Sequence, residues 1–379
     1  MASDRARQPR TRRSLLRRAA SSVRCSPLAA RALSMIPGTG AVVLRYHSVC
    51  DDVGWSGEYI QKSLVTSTEV FDRQMCFLGE RYTVVGVPRL AEMLRSGARV
   101  PAGLAAVTFD DGYEDNYRKA MPILRRHGLT ATFYVTSGCV GDARVLWTVR
   151  LRRAVRGCSK GSLVLRCVGE RSVDVSGDEA KERAIRLLTA AVKRSPPAEA
   201  DRMLEEIEEA CGTARAEQDR RIIMNEAELR ELHAAGMTVG AHTVNHYNLT
   251  CLETPDIARE LGESRRFLEG VIDAPVLHLA YPDGRTGRHF DGRVARVALE
   301  EGYRSAVTSI AGPASQRYPV LGIPRLGVVP SHENLGRLAF DMQRARISGA
   351  RDGVFEEVRS ATGAAEGVRG EAGEGAVEA

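Results

Sequence analysis

The sequence predicts an α/β fold, a distorted or incomplete (β/α) barrel of about seven units with a helical insertion. Three observations predict it. Short apolar runs alternate with stretches of helical periodicity, the pattern of parallel strands joined by helices. Two of those runs stop abruptly at chemistry-bearing polar residues, as strand tips do in such folds. The alternation breaks only over residues 142–222, where the chain turns charged and largely helix-like.

Taken in order, Ala41 to His47 reads as a first buried strand, set off by the breaker Pro37-Gly38-Thr39-Gly40. Residues 68–80 carry helical periodicity with Ser67 or Thr68 as cap, then a short strand at 82–85 and a helix near 88–96. Ala105 to Phe109 is the next strand, followed by a helix over 116–127 that ends at Gly128 and a strand at 131–136. Within the insertion Glu182–Val192 and Ala198–Ala210 are the clearest helices, and no chemistry-bearing constellation shows there. Such an insertion belongs on the functional side of a barrel, where loops vary most. Its Trp147, with Leu146 and Leu151, reads as a core residue before it reads as a sugar platform. The rhythm resumes with a helix at 226–235, the strand into His242, and a long helix at 254–271 opened by Thr254-Pro255. A strand at 276–281, a helix at 291–302, a strand at 304–309, and a last strand and helix up to about 348 complete the body.

Composition divides the chain into three. A hydrophobic fraction of 43% supports a sizeable core, and the net charge of +6 is unevenly placed. Residues 1–35 hold nine arginines against one aspartate, and residues 350–379 hold three arginines against seven acids. The body between is close to neutral, which argues against a nucleic-acid partner. Residues 1–36 read as a basic, disordered segment, 37–348 as one domain with the insertion at 142–222, and 349–379 as a disordered acidic tail rich in Gly and Ala. In the basic segment Leu15, Leu16, Ala19, Ala20 and Val23 fall at helical spacing, so peripheral contact with an anionic membrane is the alternative to disorder. That segment lacks the continuous apolar core of a secretory signal. No stretch approaches the ~18 apolar residues of a membrane span. A cytoplasmic or membrane-peripheral location is expected, with an extracytoplasmic one as the alternative. The eight cysteines form no CxxC pair, so they read as small core residues.

Two stretches carry the chemistry. Ala105-Ala106-Val107-Thr108-Phe109-Asp110-Asp111-Gly112 ends a strand in adjacent carboxylates. Two such groups repel, so a fold that keeps them recruits a cation or forces one to hold a proton; the plain alternative is a solvated turn. Met237-Thr238-Val239-Gly240-Ala241-His242-Thr243-Val244-Asn245-His246 ends another in His-x-x-x-His. Two imidazoles and a carboxylate make a zinc site that leaves one position open to water, provided the loop tightens enough to aim both rings at one point.

Thr108-Phe109-Asp110-Asp111-Gly112 and His242-Thr243-Val244-Asn245-His246 resemble the first two signature motifs of the polysaccharide deacetylases, the NodB-homology group of carbohydrate esterase family four. The resemblance spans roughly residues 40 to 345. It implies a (β/α) barrel, hydrolysis of acetamides on N-acetylated polysaccharides, and a divalent metal, usually zinc. It also implies Asp110 as general base and Asp111, His242 and His246 as metal ligands.

Leu279-Ala280-Tyr281-Pro282-Asp283-Gly284 lies where the third motif should be. Ala280 stands where the family has the arginine that orients the base, and Asp283 where a tyrosine is usual. The backbone N–H of Asp283 still suits the oxyanion, because side-chain identity does not alter it. Arg325, ending a late strand in Ile323-Pro324-Arg325-Leu326, is the candidate replacement for the arginine. The family's late Leu-x-His motif, source of the general acid, is also missing. Tyr46-His47-Ser48 resembles the N-terminal Tyr-His of a branch typified by poly-N-acetylglucosamine deacetylases. His47 is therefore expected as the acid, kept protonated beside the carboxylates. Two rivals stand against this: a non-catalytic carbohydrate-binding relative, and a metal-dependent phosphoesterase that uses the basic arm.

Overall fold

The computed structural model describes residues 40–52, 55–213, 221–347 and 355–362. Apart from a small parallel pair, Ser48–Val49 with Val65–Thr66, the strands are β1 (Val42–Tyr46), β2 (Thr83–Val84), β3 (Leu104–Phe109), β4 (Thr132–Val135), β5 (Ser162–Leu165), β6 (Arg171–Asp174), β7 (Thr238–Ala241), β8 (His278–Ala280), β9 (Ser305–Val307) and β10 (Leu326–Gly327). Seven of them run parallel in the order β9-β8-β7-β4-β3-β1-β10, and β2 pairs with the start of β3. The sheet curls until its edges nearly meet. Ile323 bridges to Val307 of β9, while three residues on Leu326 pairs with Leu44 of β1. This is the distorted barrel that the alternation predicts, and every strand presents its C-terminal tip on the same side.

Two layers of packing hold that curl. Side chains alternate across each strand. One set, including Leu44, Val107, Phe109, Phe133 and Leu279, packs outward with helices α1 (Thr68–Arg81), α3 (Met121–Arg126), α7 (Glu226–Ala234), α8 (Thr254–Ile272) and α9 (Gly292–Glu300) in one buried cluster. Phe109 and Phe133 stack there at 4.6 Å between ring centroids. The other set is small: Val43, Ala106, Ala280 and Val307 join Tyr134 and Ile323 in a second cluster, together with Val87, Leu90 and Leu94 of α2 (Val87–Arg95). A Cβ on Gly240 would stand 2.6 Å from the Tyr134 ring, so glycine is what lets that ring fit. Small neighbours also leave room for Arg325, the largest fully buried side chain among the described residues.

The insertion leaves at the C-terminal tip of β4. It holds α4 (Trp147–Gly157), α5 (Asp178–Val192) and α6 (Pro197–Cys211) around their own apolar cluster, with Trp147, Leu151, Leu188 and Ile207 inside. It is not helical throughout: β5 and β6 form an antiparallel hairpin. Its signal is an exposed–buried alternation that buries Leu163, Leu165 and Val173, with a left-handed turn at Gly169 and Glu170.

A second departure lies in the stretch at 349–379 whose composition predicts disorder. Residues 355–362 are helical, and Phe355, Val358 and Ala361, spaced three apart, are buried against the body. Phe355 meets Tyr318 edge to face at 5.3 Å. The basic segment at 1–36, including the helix proposed at a membrane surface, and the remainder of the acidic tail lie outside the described residues. Among the described residues no helix is long and apolar enough to cross a membrane.

Candidate active site

The tips of β7 and β8 are neighbours and β4 alone separates them from the tip of β3; the residues just past these three tips form the site. Asp111 follows β3 in the left-handed region (φ 74°), ahead of Gly112 at φ 86°. A Cβ on Gly112 would reach 3.0 Å from Val135, so the turn can fold onto β4 only with glycine there. Thr243 (φ 65°), His246 (φ 60°) and Asp283 (φ 58°) are left-handed as well. Each such non-glycine residue stores strain, of order ~1–3 kcal/mol, and such strain gathers at functional sites.

The structure brings Asp111, His242 and His246 together. Asp111 Oδ1 stands 3.5 Å from His242 Nε2 and 3.3 Å from His246 Nε2, and all three residues are buried. A tetrahedral ion with zinc-like bonds of ~2.0–2.1 Å holds its ligand atoms roughly 3.3 Å apart, so the donor set fits such an ion. His242 Nδ1 lies 2.7 Å from the Ala280 carbonyl, which fixes that ring with Nε2 toward the carboxylate. Burial acts to raise the Asp111 carboxyl, but its contacts to the two imidazoles outweigh this and hold it well below the usual carboxylate range.

The His-x-x-x-His turn is held from outside by residues that carry no motif. Glu260 of α8, itself buried, accepts the backbone N–H groups of Val244 and Asn245, both at 2.9 Å, and the Asn245 amide at 2.6 Å. Trp147 Nε1 donates to the His246 carbonyl at 2.9 Å, so this core tryptophan of the insertion also braces a ligand. Sequence reasoning missed Glu260. Its signal was a charge on the apolar face of α8, beside buried Ile257, Leu261 and Ser264. Glu260→Gln removes a charged acceptor for the turn, and metal affinity is expected to fall by ~10–100-fold. Competition with a chelator reads that change; unaltered affinity would assign Glu260 to folding alone.

Asp110 points the other way. Its carboxylate receives both arms of Arg325, Nη1 to Oδ1 at 2.6 Å and Nη2 to Oδ2 at 2.7 Å. Arg325 also donates Nε to the Thr308 carbonyl at 2.8 Å, and its guanidinium lies 5.6 Å from the centre of the Tyr134 ring. Arg325 thus reaches Asp110 from just ahead of β10. Burial acts to raise Asp110, but Arg325 and His242 outweigh it and bring the carboxyl down to about 2.

His47 follows β1, and its segment is fixed by Asp115 and Asn116. Asp115 accepts Ser48 Oγ at 2.5 Å and the Val49 N–H at 3.1 Å, while Asn116 Nδ2 donates to the His47 carbonyl at 2.7 Å. The expectation that carboxylates keep this ring protonated does not hold. Burial, seconded by Arg45 and Arg325, outweighs the pull of Asp111 and Asp110 and lowers His47 to about 4, so it is neutral at pH 7. Burial brings His278, 2.8 Å from Ser305 Oγ, to about 4 as well. Both folded values lie below the unfolded ~6.5, so the fold disfavours the charged rings. Their contribution to stability is complete above pH ~6.5 and is lost as pH falls towards 4. Denaturant unfolding of metal-free protein is expected to show that loss, and His278→Asn to flatten it.

Asp283 sits in the turn after β8. Among the described residues its N–H has no hydrogen-bond acceptor, while its side chain pairs with Lys193, the first residue beyond α5. The insertion therefore does bring a charged group to the site, contrary to expectation. A cavity of about 980 Å³ lies behind Trp147, Asn245 and Tyr247, lined also by Arg144 and Arg150; none of the seven candidate residues lines it.

Residues 97–170 and 188–306 match the family model described as polysaccharide deacetylase, half of the chain. The chain belongs to the polysaccharide deacetylase family. The match pauses over 171–187, inside the insertion. This deacetylase is accordingly a hydrolase of carbon–nitrogen bonds in linear amides. It is 19% identical over 289 residues to YxkH of Bacillus subtilis (strain 168), whose name places it among the polysaccharide deacetylases, covering 76% of this chain and 71% of that one. A local stretch of 90 residues is 30% identical to the poly-beta-1,6-N-acetyl-D-glucosamine N-deacetylase of Escherichia coli (strain K12), covering 24% of this chain and 13% of that one. Among solved structures, the Streptococcus pyogenes deacetylase PplD in complex with acetate aligns with a TM-score of 0.53 at 17% identity, over 80% of this chain and 98% of that one. IcaB from Ammonifex degensii aligns at 0.51 and 18% identity, over 81% and 98%. These structures share the curled parallel sheet.

Proposed function

We propose that this deacetylase removes N-acetyl groups from an N-acetylated amino sugar, in a polysaccharide or a glycan precursor, and releases acetate with the help of a bound divalent metal, zinc by preference. The observation that carries this reading is the meeting of Asp111, His242 and His246 beside the Asp110–Arg325 pair. The local likeness to a poly-N-acetylglucosamine deacetylase supports the sugar class.

Held by Asp111, His242 and His246, the ion supplies Lewis acidity, which acidifies water and polarises an amide carbonyl. Arg325 keeps Asp110 charged and fixed, ready to take the proton of the attacking water. His47 follows β1, the strand paired with β3, which places it next along from Asp110 to receive that proton. His47, neutral at rest, then passes it to the leaving amine as the carbon–nitrogen bond breaks. The Asp283 N–H serves the developing oxyanion, a contribution of typically ~3–4 kcal/mol for one such donor. Acetate and a free amino sugar result.

The altered third motif favours the second reading, a carbohydrate-binding relative without turnover. Against it stands Arg325, which supplies the base with its partner from another strand. The same reading takes residues 1–35 to make peripheral contact with an anionic membrane surface. Acetate release by metal-loaded protein across N-acetylated oligosaccharides and polymers is the test. Release that stops on chelation supports the reading; glycan binding without release favours the alternative.

A further inference from the structure

We infer that Lys193, supplied by the insertion, is a positioning residue for the deacetylation: it clamps the Asp283 turn and so holds the Asp283 N–H toward the reacting carbonyl. This rests on the function proposed above. Lys193 is the first residue beyond α5, and its ammonium pairs with Asp283. Its backbone is anchored too, since Asn248 Nδ2 donates to the Lys193 carbonyl at 2.9 Å and to the Arg288 carbonyl at 3.2 Å. The clamp thus ties together the insertion, the loop just after ligand His246, and the turn that carries Asp283.

The turn needs such a hold. Asp283 occupies the left-handed region at φ 58°, which an aspartate adopts at a cost. Within the turn, Gly284 N–H reaches the Pro282 carbonyl at 2.6 Å and Ser309 N–H reaches the Gly284 carbonyl at 2.8 Å. Those bonds fix the glycine. Among the described residues, only Lys193 holds the Asp283 side chain. The two side chains are only 25% and 23% exposed, so Lys193→Met leaves a largely buried carboxylate unpaired, and the double variant Lys193→Met/Asp283→Asn, which leaves no charge stranded, separates loss of the clamp from loss of stability.

The test compares full-length metal-loaded wild type with Lys193→Met, Lys193→Arg, Asp283→Asn and Lys193→Met/Asp283→Asn. Two readouts are used: acetate release from an N-acetylglucosamine oligomer, and amide hydrogen exchange over residues 281–285. In Lys193→Met, kcat is expected to fall by roughly tenfold or more with KM within about twofold. Metal content should hold, exchange over 281–285 should quicken, Lys193→Arg should recover part of kcat, and the double variant should keep the wild-type melting temperature and be no slower than the single ones. Unchanged kcat, a rise in KM alone, or additive losses in the double variant would overturn the clamp. If wild type releases no acetate, the proposed function fails, and exchange alone decides: unchanged protection in Lys193→Met rejects the clamp, and lost protection upholds it as a structural tie.

Discussion

Asp110→Asn is expected to lower acetate release by ~10²–10⁴-fold while the metal stays bound. The separation follows from geometry. Asp111 faces the two imidazoles, whereas both oxygens of the neighbouring Asp110 face Arg325. An asparagine still offers Arg325 one carbonyl oxygen, so the ring of contacts loosens without collapsing. It has no basic oxygen near the attacking water, and the route to His47 loses its first station. Single-turnover acetate release together with metal analysis reads both halves. Appreciable turnover in Asp110→Asn would remove this residue as the base, and loss of metal would place it in the coordination shell.

Arg325→Ala is expected to be the most destabilising single change at the site, by ~3–5 kcal/mol, because it leaves a buried carboxylate without its counter-charge. Burial pushes Asp110 upward, so without Arg325 the carboxyl should titrate higher and hold a proton over more of the pH range, losing its readiness as a base. The Thr308 carbonyl loses its donor in the same step. Activity and stability part company in the double variant Asp110→Asn/Arg325→Met. Neutral groups of similar volume in place of a buried pair are often tolerated, so stability should largely return while activity does not. Chemical denaturation alongside acetate release tests this; a double variant as unstable as Arg325→Ala would show that the pair's charges are not what the fold misses.

What was legible in the sequence follows from where the chemistry sits. Asp110, Asp111, His242 and His246 each follow a short apolar run, and strand tips in a parallel sheet all face one side, so two local motifs predict one site. Arg325 was legible only as a candidate: it sits just ahead of β10 rather than where a strand ends, and the curl of the sheet is what brings it to Asp110. Glu260 was not, because a glutamate in an amphipathic helix reads as solvent-facing until its position on the apolar face is noticed. Lys193 was harder still: it ends a helix in a charged stretch, and its partner Asp283 is made close only by the way the insertion folds back. The hairpin of β5 and β6 was hidden by charge, since its period-two pattern buries only Leu163, Leu165 and Val173. His47 shows a different limit. The motif places the ring, but its protonation depends on burial and on two arginines near it, neither of which spacing along the chain reveals.

Calorimetric titration of zinc into demetallated protein is the most direct measurement. One ion per chain should bind to wild type and to Asp110→Asn, and that binding should be lost in Asp111→Ala, His242→Ala and His246→Ala. Zinc binding of wild-type strength in those three variants, or none in the wild type, would contradict a site built from the tips of β3 and β7.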